Sequence, residues 1–491
     1  MRRASMGWAA LFGAALAGCG SRVELPPPLL PLTPTPDAEF RANAPPPAAE
    51  PALRVHDVRS TELENGMTTL VVEQPELPLV TLVYVNRAAR DDGAPRNAGL
   101  AELTARMLNE GTRLENGEVL RQLRISGEPP GWSVGSAGTA IAITTLASGV
   151  EKAAWLLARL VQHPVFEADS LESARVAQSQ QLFSRSLGIS SQLNELALEG
   201  LYGPDHPLAL PFKTFGRNLR FFSGHQVRSF YSRQYGPRDS ALIAVGAVQA
   251  DAVFTLARRH FGAWSPAQGQ VPAEPAPPAV VPRGDRNIQI GAIAADASDA
   301  SLVVALPCAG LSDPDALAFD LIAMLIGGLT VSRSAAALRH DTGISYGVHA
   351  ACYQRRTAGK FLIELSADLD RAGESLEKIL TEIERIKSSP VTLAELEAAK
   401  MRYLGQTAAA VSSTPGLAGA LADLYLNALP LDHLATLERR VRALSAEQLQ
   451  RAAARYFDAQ IGVAVYGPPR LLHDQLVSLG DVQWSMLKTT K

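Results

Sequence analysis

The stretch Gly99-Leu100-Ala101-Glu102-Leu103-Thr104-Ala105-Arg106-Met107-Leu108-Asn109-Glu110-Gly111-Thr112 reads as a helix over 98–109. Glu102 and Arg106 stand four residues apart, so they share a face and predict a simple helix ion pair. Two imidazoles at that spacing would both reach one zinc ion. None of the nine histidines has a partner at i,i+4 that could supply such a pair.

Around this helix the elements fall into an order that occurs twice. In the first half, 68–73 and 79–85 read as strands, 98–109 and 117–125 as helices, 132–136 and 140–147 as strands, and 151–162 and 168–187 as helices. In the second half, strands are predicted at 288–294 and 302–306, and helices at 313–325 and 332–339. Strands at 344–351 and 361–365 follow, then helices at 372–386 and 393–412. The distance from first strand to fourth helix is 100 residues in one half (68 to 168) and 105 in the other (288 to 393). A repeat of that regularity predicts an α+β fold of two homologous, duplicated domains, each an antiparallel sheet backed by helices.

The 491 residues suit two or three folded units at roughly 100–200 residues per domain. With 47% hydrophobic and 19% charged residues, the chain can bury a sizeable core. A net charge of −3, with no stripe of Lys and Arg, gives no nucleic-acid footprint. Arg2 and Arg3 precede a short apolar run, Trp8 to Leu16, which falls short of the about 20 residues needed to span a bilayer and reads as a secretory signal. Leu16-Ala17-Gly18-Cys19 looks like the bacterial lipobox, in which the Cys thiol takes the lipid. Residues 1–18 are then a signal peptide and 19–54 a tether, stiffened by ten prolines between 24 and 53. A second Pro-rich stretch, 266–285, separates domains at 55–265 and 286–491. By resemblance to enteric lipoproteins, Gly20 rather than Asp after the Cys favours the outer membrane, so the chain is expected to face the periplasm from a lipid anchor. That compartment permits a disulfide, yet the apolar, strand-like settings of Cys308 and Cys352 predict two buried thiols.

The helix at 98–109 resembles the zinc-binding helix of the pitrilysin/insulinase-like metallopeptidases, whose H-x-x-E-H sits in a Gly-Leu-Ala … Met-Leu … Gly-Thr frame. Gly99, Leu100, Ala101, Met107, Leu108, Gly111 and Thr112 match that frame, as do Leu63-Glu64-Asn65-Gly66-Met67 and Leu201-Tyr202-Gly203-Pro204-Asp205-His206-Pro207. The two His positions are Glu102 and Arg106, and the general-base position is Ala105. The family's third ligand, a Glu, should fall near Ser179-Gln180-Gln181, where no carboxylate stands. The resemblance therefore implies a zinc-free chain with no catalytic residue of its own.

In the second half, Leu338-Arg339-His340-Asp341-Thr342-Gly343-Ile344-Ser345-Tyr346-Gly347 resembles the family segment whose Arg holds a substrate carbonyl and whose Tyr steadies the oxyanion. Arg339 and Tyr346 match those two positions. Some bacterial members split the work between subunits, so the resemblance implies a heterodimer with an H-x-x-E-H sibling that holds the zinc and cleaves peptides. The alternative is a peptide-binding or scaffolding pseudoenzyme of the cell envelope. Gly131-Trp132-Ser133-Val134-Gly135 satisfies G-x-S-x-G, but strand follows it where a nucleophile elbow needs a helix. Ser375-Leu376-Glu377-Lys378 lies on a regular amphipathic helix and is expected at the surface. Gly327-Gly328 lack the phosphate-loop Lys and predict a turn capping a helix.

Overall fold

The computed structural model describes residues 57–89, 94–112, 127, 130–265, 288–294, 296–328, 332–345, 347–458 and 460–486. Signal, tether, the helix expected at 117–125, the Pro-rich stretch at 266–285 and Tyr346 lie outside them.

The first half forms one six-stranded sheet: β1 (Arg59–Glu62), β2 (Thr68–Glu73), β3 (Leu79–Asn86), β4 (Gly131–Val134), β5 (Thr139–Leu146) and β6 (Ser240–Gly246), ordered β1-β2-β6-β3-β5-β4. The second forms another from β7 (Ile288–Ala294), β8 (Asp299–Cys308), β9 (Val348–Gln354), β10 (Gly359–Asp368), β11 (Ile461–Gly467) and β12 (Asp481–Met486), ordered β12-β7-β11-β8-β10-β9. Five strands of each sheet correspond one to one, which makes the duplication a structural fact.

The sheets are mixed, not antiparallel throughout. β6 lies parallel to β2 and antiparallel to β3, and β11 lies parallel to β7 and antiparallel to β8. Each arrives after a long helical excursion, and a returning crossover can enter a sheet parallel to its first strand. Every residue of β6 is buried, so Ser-Ala-Leu-Ile-Ala-Val-Gly shows no polar alternation.

Along β3 the side chains divide by parity. Val80, Leu82 and Tyr84 face helices of their own half, α2 (Val150–Gln162) and α7 (Ala250–Phe261). Val83 and Val85 face the other way, onto α12 (Thr414–Leu426) of the second half, through Leu417, Leu421 and Leu424. The exchange is reciprocal. α4 (Ile189–Tyr202) lays Leu193, Ala197 and Leu201 on Val303, Ala305 and Ala464 of the second sheet. α4 starts 21 residues after α3 (Ala168–Leu187), and α12 starts 21 residues after α11 (Leu393–Val411). Each half thus closes one face of its sheet with a helix borrowed from the other. The Leu201–Pro207 motif fastens this clasp: the Tyr202 hydroxyl donates to the Gly359 carbonyl at 2.9 Å, and its ring stacks on His206 at 4.4 Å.

Cys308 and Cys352 form a disulfide, against the expectation of two thiols. β10 separates their strands, and two strand spacings would hold them about 9.6 Å apart. Their Cα atoms are only 6.5 Å apart, within bonding range. The strand ends close over Gly359, where a Cβ would sit 2.7 Å from the Cys308 Sγ and 2.9 Å from the Ala309 carbonyl. Gly327 and Gly328 also differ from expectation. They end a π-helical turn, Met324–Gly328, that continues α8 (Ala316–Ala323), and Gly327 lies against β9, leaving 2.8 Å between a would-be Cβ and the Ala350 nitrogen. Ser375 is buried rather than at the surface, its hydroxyl donating to the Arg371 carbonyl.

Candidate functional site

α1 (Leu100–Thr112) opens at Gly99, whose φ of +93° suits a residue without a side chain. Its inner face packs Leu100, Leu103 and Met107 against Ala174 and Leu182 of α3 and against Leu219 of α5 (Phe212–Leu219). Gln178 on α3 donates to the Gly99 carbonyl at 3.2 Å, which sets the axial register of the two helices.

That register brings the degenerate positions together. Glu102 and Arg106 form the expected i,i+4 pair at 3.6 Å, with side chains 24% and 12% exposed. Arg106 Nη2 also donates to Gln181 Oε1, so the stretch near which the third ligand was expected meets the second His position. The Trp132 ring lies 5.6 Å from the guanidinium carbon and covers it as a cation–π lid. Ala105, at the general-base position, is 1% exposed and packs as core.

This arrangement does not fit zinc. A guanidinium is permanently charged and has no lone pair, so Arg106 repels a cation where an imidazole would bind it. Glu102 supplies one carboxylate and Gln181 one neutral oxygen, short of the three strong donors a catalytic site uses. Among the described residues no group of three or more His, Cys, Asp and Glu could hold a metal ion. The cluster is a polar bridge between α1 and α3. Arg106→Ala strands the Glu102 carboxylate and the Gln181 carbonyl, so urea unfolding is expected to report a loss of about 2 kcal/mol. Because the two residues share that bridge, Glu102→Ala/Arg106→Ala should cost less than the sum of the single changes.

In the second half Arg339 lies on a π-helical turn, Ala336–His340, that continues the short helix α9 (Arg333–Ala335), and its side chain is exposed. Gly343 reverses the chain at φ +67°, donating from its nitrogen to the Arg339 carbonyl at 3.2 Å. The segment is braced from below. Arg333, 8% exposed, donates from Nε and Nη2 to the Glu395 carboxylate of α11 at 2.8 and 3.1 Å. The guanidinium, with the Thr392 cap, holds the Glu395 carboxyl down at about 2. Trp132 and Gln181 were the members of the first cluster that helix periodicity could not assign. Trp132 belongs to the G-x-S-x-G stretch, which forms strand β4 and no elbow.

Residues 222–403 match the peptidase M16 inactive domain. The chain is 24% identical over 272 residues to the zinc protease PqqE of Helicobacter pylori, a match covering 55% of this chain and 60% of that protein. It is 22% identical over 466 residues to the mitochondrial cytochrome b-c1 complex subunit 1 of Caenorhabditis elegans, covering 89% of this chain and 95% of the relative. The crystal structure of a peptidase M16 inactive domain from Pseudomonas fluorescens superposes with a TM-score of 0.73 at 22% identity, covering 84% of this chain and 98% of that one. The two-domain α+β architecture is therefore M16-like, as the resemblance of the α1 frame implied.

Proposed function

We propose that this chain, whose residues 222–403 match the peptidase M16 inactive domain, is the non-catalytic subunit of a heterodimeric metallopeptidase. The observation that carries this reading is the Arg106 guanidinium, tied to Glu102 and Gln181 where the family helix would hold zinc. An H-x-x-E-H sibling subunit supplies the zinc and the general base, and a peptide is the substrate. Arg339, exposed on its braced turn, contributes a donor for a substrate carbonyl, and Tyr346 the hydroxyl that steadies the oxyanion. Lipid on Cys19 places the pair at the outer membrane, facing the periplasm. The Cys308–Cys352 bond supports an oxidising compartment.

The similarity to a cytochrome b-c1 complex subunit over 89% of the chain favours a second reading, a scaffold without a proteolytic role. One experiment separates the two. The acylated protein is captured from its native membrane, and the eluate is assayed for an H-x-x-E-H sibling, zinc and peptide cleavage. The split-enzyme reading expects the sibling, zinc in it alone, no cleavage by this chain by itself, and a loss of about 100-fold or more with Arg339→Ala. Capture of a stable complex without peptidase activity would instead establish the scaffold.

A further inference from the structure

Next to Gln181, α3, α4 and α5 enclose a cleft of about 930 Å³, at the large end of the range that takes small ligands. Its floor is Leu182, Phe183, Leu187, Leu196, Phe212 and Ile293. Phe183 and Leu187 remain 49% and 45% exposed side by side on α3, apolar surface that no element covers among the described residues.

α5 forms the charged wall. It is fixed from behind, where Asn218 Nδ2 donates to the Pro95 carbonyl at 2.6 Å and Phe215 lies against Gly99. The cleft side then carries Lys213, Arg217 and Arg220, spaced four and three residues apart, which puts them on one face. All three are exposed, and none has a counter-ion among the described residues. Glu195 and Glu199 of α4 also line the cleft, and Glu195 accepts from the Phe212 backbone nitrogen at the start of α5. Three cations against two carboxylates leave the α5 wall positive above an apolar floor.

We propose that this cleft binds the carboxylate-bearing end of an apolar peptide, with the side chain on the Leu182–Phe212 floor and the carboxylate forked by Arg217 and Arg220. The inference rests on the peptide-handling role proposed above and names the chemistry of what is handled. A planar guanidinium fork matches a carboxylate in two parallel hydrogen bonds, and the neighbouring apolar floor rewards a large side chain next to it. Gly216, between the cations, faces open space, so the floor stays accessible.

The test uses the purified full chain and an N-terminally labelled heptapeptide ending in Phe-Leu, read by fluorescence anisotropy. Three forms are compared: free acid, C-terminal amide, and the amide with a Glu next to the end. The free acid is expected to bind about tenfold or more tighter than the amide, the value of one charged fork. The R217E/R220E pair should abolish that difference. Gly216→Leu should block all binding without destabilising the fold, because its side chain enters open space and replaces a helix-interior glycine. If the Glu-bearing amide matches the free acid, the site stands and a side-chain carboxylate is its ligand. Equal affinity of acid and plain amide, indifference to both variants, or no binding by any form would overturn it. The assay needs no second subunit. Intact peptide binding with no cleavage in the captured complex would reject only the split-enzyme reading, and cleavage without peptide binding would reject only the cleft.

Discussion

Reducing the Cys308–Cys352 bond should cost about 4 kcal/mol, the largest single loss expected from any one covalent change in the second half. The bond closes a chain segment of 44 residues. Constraining a loop of that length removes conformational freedom from the unfolded chain that chain-entropy scaling puts near 4 kcal/mol. Urea unfolding with and without reductant, alongside the Cys308→Ala/Cys352→Ala variant, gives the number directly. A midpoint indifferent to reductant would mean that the bond leaves the unfolded chain unconstrained. Gly359→Ala supplies a cross-check from packing. Its methyl would meet Sγ at 2.7 Å and the Ala309 carbonyl at 2.9 Å, so it should destabilise the oxidised protein and do so less when the bond is reduced.

Asp320→Asn is expected to stabilise the protein by up to about 3 kcal/mol at pH 7.5 and by almost nothing at pH 4. Asp320 lies on α8, and its carboxylate accepts from the Tyr403 hydroxyl of α11 at 2.9 Å. Burial raises the carboxyl to about 6, and the Tyr403 hydrogen bond only partly opposes that rise. The folded protein therefore keeps this proton in a range where the unfolded chain, at an ordinary value near 4, has lost it. Stability is fully present below about pH 4, falls as pH rises from about 4 to 6, and carries the whole penalty above. About two units correspond to roughly 3 kcal/mol. The amide keeps an oxygen for Tyr403 and cannot ionise, so its stability curve should stay flat where the parent declines. Calorimetry at the two pH values checks the sign. An equal shift at both would attribute the gain to packing instead. Tyr403→Phe should push the other way, because it removes the group that partly offsets the rise.

Much of this architecture was legible in the chain. The duplication showed as two element orders of matching span because each element has its own period, and those periods survive wherever a helix or strand is half-buried. β6 and β11 escaped because they are the central strands, apolar on both faces. The signal that could have found them is their spacing: they start 221 residues apart, at 240 and 461, as β2 and β7 start 220 apart, at 68 and 288. The disulfide escaped for a different reason. In sequence each Cys has only a strand-like apolar setting, but their approach depends on a glycine in a third strand, at 359, and no local pattern encodes that meeting.

The Arg106 cluster between α1 and α3 divides along the same line. Sequence alone determined that Glu102, Ala105 and Arg106 carry no imidazole and no general base, since that is a matter of residue identity, and it determined the Glu102–Arg106 pair, since i,i+4 spacing is a property of any helix. Only the tertiary structure decided that Gln181 and Trp132 would close around Arg106, and that Lys213, Arg217 and Arg220 would stand over an apolar floor assembled from three helices and a strand of the other half. Periodicity fixes which face of an element is apolar. Which faces meet is fixed by burial of the whole chain at once, and here that burial was achieved by each half lending a helix to the other's sheet.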